Sequence, residues 1–64
     1  MIHTLRGRIA ERGDDFLVTD VQGVGFKVFM NGRAAAEAPE GGEVKLFTHL
    51  YVREDRLDLY GFLN

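Results

Sequence analysis

Residues 43–62 read EVKLFTHLYVREDRLDLYGF, and their pattern is the most informative one in the sequence about the architecture of the chain. Its first part, Glu43–Val52, alternates apolar and polar side chains, which is the pattern of a strand with one face on a core. Arg53–Arg56 is a charged break, and Leu57–Phe62 resumes the apolar run. Two strands joined by a short polar turn predict a β-hairpin.

The residues before this hairpin contain three further strand-like runs separated by turns rich in Gly and Asp. These runs are Ile2–Glu11, Phe16–Thr19 and Val24–Met30, with the chain reversing at Asp20–Gly23 between the last two. Asn31 is a good helix N-cap, the alanines after it favour a short helix or a single helical turn, and Pro39 discourages its continuation. Five strands with a short helix after the third match the order of the oligonucleotide-binding (OB) barrel. The sequence therefore predicts an all-β, five-stranded OB-fold, a Greek-key barrel, with residues 1–64 forming one domain.

The composition argues against several classes of function. The 64 residues include no Cys and no Ser, so the usual nucleophiles of covalent hydrolysis and the thiolate ligands of metals are missing. His3 and His49 lie on different strands without a metal-binding spacing. We therefore expect no catalytic residue, no metal and no cofactor. The net charge of -2 predicts that this domain alone binds DNA weakly.

The sequence also carries no sign of a membrane or secretory destination. No apolar run approaches the roughly 20 residues that cross a bilayer. The first residues lack the apolar segment of a secretion signal. Together with the absence of Cys, these features predict a cytoplasmic protein without membrane contact.

The charged turn is the first candidate functional feature. A hairpin end projects away from a barrel, so Glu54 and Asp55 would form an exposed acidic pair. Alternatively, Arg53 and Arg56 neutralise these acids at a solvated turn, where an exposed pair contributes about 0–1 kcal/mol. The spacing alone favours neutralisation, and Arg53 and Arg56 are also candidates for contacts with DNA or with another subunit.

A row of arginines on the first strand is the second candidate. Leu5 and Ile9 share one face, which leaves Arg6 and Arg8 on the other. These two could contact DNA phosphates, with Arg12 continuing the row. They could equally pair with acids on a neighbouring strand or join a subunit interface, and the acidic balance of the domain favours these alternatives.

The aromatic side chains are the third candidate, since OB-folds stack bases on exposed rings. In so small a domain most of them are expected in the core. The residues considered are Phe26, Phe29, Phe47, Tyr51, Tyr60 and Phe62. Phe47 and Tyr51 share a strand face with Lys45 and Arg53, so this pair is predicted to stack on bases or to contact another subunit.

Three segments of the chain resemble the RuvA family. They are Met1-Ile2-x-x-Leu5-x-Gly7, then Val21-x-Gly23-Val24-Gly25-Phe26-x-Val28, and then Phe47-Thr48-His49-Leu50-Tyr51-Val52-Arg53-Glu54-Asp55 with Leu59-Tyr60-Gly61-Phe62. The likeness is in register from the first residue to the last, and the third segment is the most specific. The resemblance implies the N-terminal domain of a longer protein, whose helix-hairpin-helix and C-terminal domains are absent from this sequence.

The resemblance also implies a function. Members of the family assemble as tetramers, with octamers as an alternative, on four-way (Holliday) DNA junctions in bacterial recombination and repair. Their C-terminal domain engages the RuvB motor, which hydrolyses ATP to drive branch migration, so the present domain would not itself be an enzyme. In the family, the tip between the fourth and fifth strands is an acidic pin at the junction centre, and that motif falls on Glu54 and Asp55.

Two other functions stay open on the sequence alone. One is a general single-strand-binding domain of the same fold, which needs cations interleaved with exposed rings. The acidic tip and the net charge argue against it. The other is a structural oligomerisation domain whose tip has no role on DNA.

Overall fold

The structure, a computed structural model, describes residues 2–63 and consists of five strands and one helix. In chain order these are β1 (Thr4–Arg12), β2 (Phe16–Val21), β3 (Val24–Phe29), α1 (Gly32–Glu37), β4 (Glu43–Val52) and β5 (Leu57–Phe62). The strands close into a barrel in the order β1-β2-β3-β5-β4, with β4 pairing back onto β1. The predicted all-β barrel with a short helix between β3 and β4, consistent with an OB-fold, is confirmed.

One contact in the barrel is parallel, whereas the other neighbouring strands are antiparallel. It joins β3 to β5 and pairs Val28 with Leu59 and Phe29 with Tyr60. A parallel pair needs a crossover connection, which α1 and β4 supply here. The contact sets the outward-facing side chains of β3 beside those of β5, although they are far apart in the sequence.

The barrel core is built from the inward face of every strand. Its buried members on the strands are Leu5, Ile9, Leu17, Val28, Leu46 and Leu59, and Met30, Ala35 and Ala38 join them from the region of α1. The alternation predicted for β1 is confirmed, because Leu5 and Ile9 are buried while Arg6 and Arg8 are exposed. A fully buried Leu or Ile side chain stabilises the fold by about 1.5–3 kcal/mol.

The strand ends differ from the sequence prediction mainly around the β2–β3 turn. The chain reverses there in only two residues, Gln22 and Gly23, with φ angles of 51° and 93°. Positive φ at both positions is what a type I′ turn requires. Because this turn is short, β2 continues to Val21 instead of ending at Thr19. β1 also begins and ends later than predicted and β3 is one residue shorter, while the bounds of β4 and β5 are confirmed.

The short helix α1 is held at both ends by side chains. The Oδ1 atom of Asn31 accepts a hydrogen bond from the Arg33 backbone N–H at 2.9 Å, which confirms the predicted N-cap. The Arg12 Nη1 atom donates to the carbonyls of Ala36 at 3.3 Å and Ala38 at 2.8 Å. Carbonyls at a helix C-terminus have no partner within the helix. Arg12 therefore joins β1 to α1, so its expected place in a phosphate-binding row is not supported.

Candidate functional site

The β4–β5 hairpin ends in four residues, Arg53–Arg56, beyond its last strand pair. The backbone N–H of Arg53 donates to the Arg56 carbonyl at 2.8 Å, which leaves Glu54 and Asp55 at the apex. Both apex residues are exposed. The hairpin therefore presents two adjacent carboxylates to any molecule that approaches its end.

The two arginines of the tip are directed away from these acids. The Arg53 guanidinium lies over the Tyr51 ring, with Cζ 4.8 Å from the ring centroid. The Arg56 Nε atom is 2.9 Å from Asp58 Oδ2. Within residues 2–63 no salt bridge involves Glu54 or Asp55. The structure thus does not show the mutual neutralisation that the spacing favoured.

The stem of the hairpin extends past the barrel core. Val52 and Leu57 face the same side of the sheet as Leu50 and Leu59, which lie two residues nearer the barrel. However, Val52 and Leu57 are 61% and 68% exposed, whereas Leu59 is only 7% exposed. The acidic tip is therefore carried on an apolar stem outside the core.

The aromatic side chains lie mostly outside the core, so the expectation that most of them are buried is wrong. The exposed rings are Phe47, Tyr51, Tyr60 and Phe62, with exposed fractions between 39% and 56%. Phe16, Phe26 and Phe29 are half-buried, and no aromatic residue among residues 2–63 is fully buried. The interior of a barrel narrows as the number of strands falls. Leu, Ile and Val fill this five-stranded interior, and the rings remain outside or at its edge.

Rings and cations together form a continuous group on the outer face of four neighbouring strands, which we call the aromatic–cation surface. It consists of Phe16 on β2, Lys27 and Phe29 on β3, Tyr60 on β5, Tyr51 on β4, and Arg53. The ring centroids of Phe29 and Tyr60 are 5.8 Å apart, and those of Tyr60 and Tyr51 are 6.3 Å apart. The Lys27 Nζ atom lies 4.5 Å from the Phe16 centroid and 5.2 Å from that of Phe29. Two cations are therefore interleaved with four rings.

Sequence reasoning found one end of this surface and missed the other. The predicted sharing of one β4 face by rings and cations is confirmed at Tyr51 and Arg53, which belong to this surface. It is also confirmed outside the surface, where Lys45 Nζ is 5.3 Å from the Phe47 centroid. Lys27 was missed, although the alternation of β3 sets it on the face opposite to Val28. The contact of Phe29 with Tyr60 depends on the parallel pairing of β3 with β5, for which the sequence has no local signal.

The arginines of β1 lie far from the acidic tip. Arg8 lies opposite Glu43 in the β1–β4 ladder. Glu43 is the first residue of β4, and nine residues, or about 30 Å of strand, separate it from the end of β4 at the tip. The Arg8 Nη2 atom is 3.9 Å from Asp20 Oδ2 on the neighbouring strand, in agreement with the alternative that the sequence favoured. Arg6 is exposed opposite Lys45. The structure therefore does not bring these arginines together with the tip.

The described residues contain neither a metal-binding cluster nor a membrane-spanning helix. No group of three or more His, Cys, Asp or Glu side chains within residues 2–63 is arranged to hold a metal ion. His3 and His49 are both exposed. In the same part of the chain, no helix is long and apolar enough to span a membrane.

Comparison with known proteins identifies a family. The family model described as "RuvA N terminal domain" matches residues 1–61. The chain is 44% identical, over all of its 64 residues, to proteins of Rickettsia africae and Rickettsia bellii named "Holliday junction branch migration complex subunit RuvA". The protein of the same name from Rickettsia prowazekii is 44% identical over 63 residues, or 98% of the chain. The chain spans about a third (32%) of the length of these relatives.

Proposed function

Because this chain belongs to the RuvA N terminal domain family, we propose that it is a non-catalytic domain that recognises four-way DNA junctions in recombination and repair. The observation that carries the proposal is the exposure of Glu54 and Asp55 at the hairpin apex, together with their lack of a salt-bridge partner in the part of the chain that the structure describes. Both are exposed, and neither forms a salt bridge within residues 2–63. We propose that these two carboxylates are an acidic pin at the centre of the junction.

The pin acts by repulsion between like charges. Two unit charges 4 Å apart interact with about 1 kcal/mol in bulk water, and with more where protein excludes solvent. Screening limits this effect to about 8 Å at physiological salt, so the carboxylates act on the phosphates beside them. A duplex that runs straight through the centre carries its phosphates into this range. An open junction keeps its backbones apart there, so the pin favours the open junction over ordinary duplex.

Assembly strengthens the effect. In a tetramer, or an octamer built from two tetramers, four hairpin tips meet near one axis and their carboxylates add. The domain's net charge of -2 suits this role, because the cations that grip the DNA backbone would lie in other domains of the protein. ATP hydrolysis would belong to the RuvB motor in the bacterial cytoplasm, and the present chain would supply the junction geometry on which the motor acts.

The test compares two neutralised variants of the full-length protein that carries this domain. One is Glu54→Gln/Asp55→Asn at the tip, and the matched control is Glu37→Gln/Glu40→Gln, two exposed acids away from the hairpin. Dissociation constants are measured for a synthetic four-way junction and for linear duplex of equal length at physiological salt. We expect the tip variant to lose about tenfold, or 1.4 kcal/mol, of its preference for the junction. The control should keep the preference of the unaltered protein.

Equal effects of the two variants would overturn the pin, because the acids would then act only through net charge. An unchanged preference in the tip variant, with unchanged branch migration in the presence of RuvB, would support the structural oligomerisation domain instead. Sedimentation of both variants shows whether the assembly itself is intact.

A further inference from the structure

The aromatic–cation surface has no role in the proposed pin, yet its rings are arranged as a unit. The centroid distances of 5.8 Å and 6.3 Å lie in the range of about 4.5–7 Å at which aromatic pairs attract one another. Neither Tyr51 nor Tyr60 belongs to the barrel core. The two tyrosines are therefore held in place by their neighbours while their rings stay exposed.

The aromatic–cation surface carries cations that are not neutralised by a salt bridge among the described residues. Within residues 2–63, Lys27 and Arg53 form no salt bridge and lie over rings. Asp58 lies opposite Tyr51 in the β4–β5 ladder and forms a salt bridge with Arg56. The surface therefore carries two cations without a salt bridge in that range, although the chain has a net charge of -2 and the acids of the tip directly follow Arg53. Such clustering of a few cations on one face is what an acidic domain needs in order to contact nucleic acid.

A groove runs along one side of the same surface. It has a volume of about 410 Å³ and lies between Phe29 and Tyr60 on one side and the start of α1 on the other. Asn31, Arg56 and Asp15 provide polar groups in its lining. Pockets that receive small molecules have volumes of about 300–1,000 Å³. The groove therefore has room for a nucleobase that has left its stack.

We propose that the aromatic–cation surface binds single-stranded DNA, with unpaired bases stacking on Tyr51, Tyr60 and Phe29 and phosphates contacting Lys27 and Arg53. Ring stacking is available to every base but requires an unpaired strand, because duplex hides the faces of its bases. Exposed rings beside two cations without a salt bridge among residues 2–63 thus fit a single-stranded polyanion.

The position of Arg53 links this surface to the tip. Arg53 ends the aromatic–cation surface and directly precedes Glu54 at the apex. A DNA strand that separates from its partner at the pin would therefore lie next to the rings of the aromatic–cation surface. This sequence of events rests on the proposed function, whereas binding of an isolated single strand does not.

The experiment measures fluorescence anisotropy of a labelled oligothymidine of about fifteen nucleotides, at the upper end of OB-fold site sizes, titrated with this chain at low salt. We expect binding that Tyr60→Leu weakens about tenfold, since stacking on one ring is lost while an apolar side chain remains. Lys27→Gln should reduce the slope of log affinity against log salt by about 0.7, the value for one single-strand phosphate contact. Lys45→Gln is the matched control, because Lys45 also lies over a ring but outside this surface, and it should leave the slope unchanged.

Three results would overturn the proposal. The first is no binding of the oligonucleotide at low salt, and the second is equal loss in the Lys27→Gln and Lys45→Gln variants. The third is an oligomer of the chain that Tyr60→Leu dissociates, since the surface would then be a subunit interface. Circular dichroism of each variant confirms that the barrel has formed. Glu54→Gln/Asp55→Asn should bind the oligonucleotide at least as tightly as the unaltered chain, so failure here is distinguishable from failure of the pin.

Discussion

The β2–β3 and β4–β5 hairpins both carry acidic residues at their ends, but only the first uses its acid to hold the chain. The Asp20 Oδ1 atom accepts a hydrogen bond from the Gly23 N–H at 2.8 Å, and its Oδ2 atom lies 3.9 Å from Arg8 Nη2. At the other hairpin, neither Glu54 nor Asp55 has a salt-bridge partner within residues 2–63. One hairpin has a structural acid, and the other has two acids that form no salt bridge within residues 2–63.

Because of this difference, the acid that stabilises the fold and the acids that we propose to act on DNA lie in different hairpins. A carboxylate that bonds to its own turn lowers the free energy of the folded state and is poorly placed to meet DNA. A carboxylate at an apex without a salt-bridge partner contributes little to folding. Substitutions in the β2–β3 hairpin and in the barrel should therefore change stability, whereas those at the β4–β5 tip should not.

The largest effect is expected where the β4–β5 hairpin meets the core. Leu59→Ala removes a side chain that is 7% exposed and should lower the free energy of unfolding by about 2–5 kcal/mol. Leu57→Ala, two residues nearer the tip, removes a side chain that is 68% exposed and should cost less than about 0.5 kcal/mol. Urea denaturation of both variants gives the two values. Similar losses would show that the stem packs against the core after all.

A smaller loss of stability is expected where β1 passes the turn end of the β2–β3 hairpin. A methyl group on Gly7 would overlap the carbonyl oxygen of Asp20 and approach Val21 Cγ2 to 3.1 Å. Gly7→Ala should therefore cost about 1–3 kcal/mol, since the backbone of β2 must move. Gly25→Ala is the control, because its methyl group meets only Val18 Cγ1, at 3.4 Å. If thermal unfolding shows that both variants lose the same amount of stability, crowding of the strands at Gly7 is not the cause of the loss.

The turn itself should contribute about 1 kcal/mol through Asp20. Asp20→Ala removes the acceptor for the Gly23 N–H, and a hydrogen bond of this kind typically stabilises a fold by about 0.5–1.5 kcal/mol. Asp20→Asn keeps an acceptor oxygen and loses only the ion pair with the largely exposed Arg8, so it should cost less than about 0.5 kcal/mol. Chemical denaturation distinguishes the two variants. Equal losses would mean that charge, and not the hydrogen bond, fixes the turn.

Local patterns in the sequence were sufficient to predict most of the fold. The alternation of Glu43–Val52 and the polar break after it gave the bounds of β4 and β5, and Asn31 marked the start of α1. The β2–β3 turn was predicted two residues too long. A type I′ turn is usually signalled by Asn or Asp before Gly, and here Gln22 takes the positive φ instead.

The candidate site could be predicted only where it lies within one hairpin. The exposed position of Glu54 and Asp55 follows from a turn between two strands. The directions of Arg53 and Arg56 do not, because Tyr51 and Asp58 become their partners only once the β4–β5 register is set. The burial of the rings was predicted wrongly, because hydrophobicity indicates which side chains favour a core but not how wide this barrel is.

The smallest effect on stability is expected at the tip, where the effect on DNA should be largest. Glu54→Gln/Asp55→Asn should change the free energy of unfolding by no more than about 0.5 kcal/mol, because no salt bridge within residues 2–63 is lost. Urea denaturation measures this value, with Asp20→Ala as the variant that should differ. A loss above about 1 kcal/mol would show that the tip acids hold the hairpin together, and a reduced junction preference would then reflect a disordered tip. With stability unchanged, any lost preference for the junction is an effect of the carboxylates themselves.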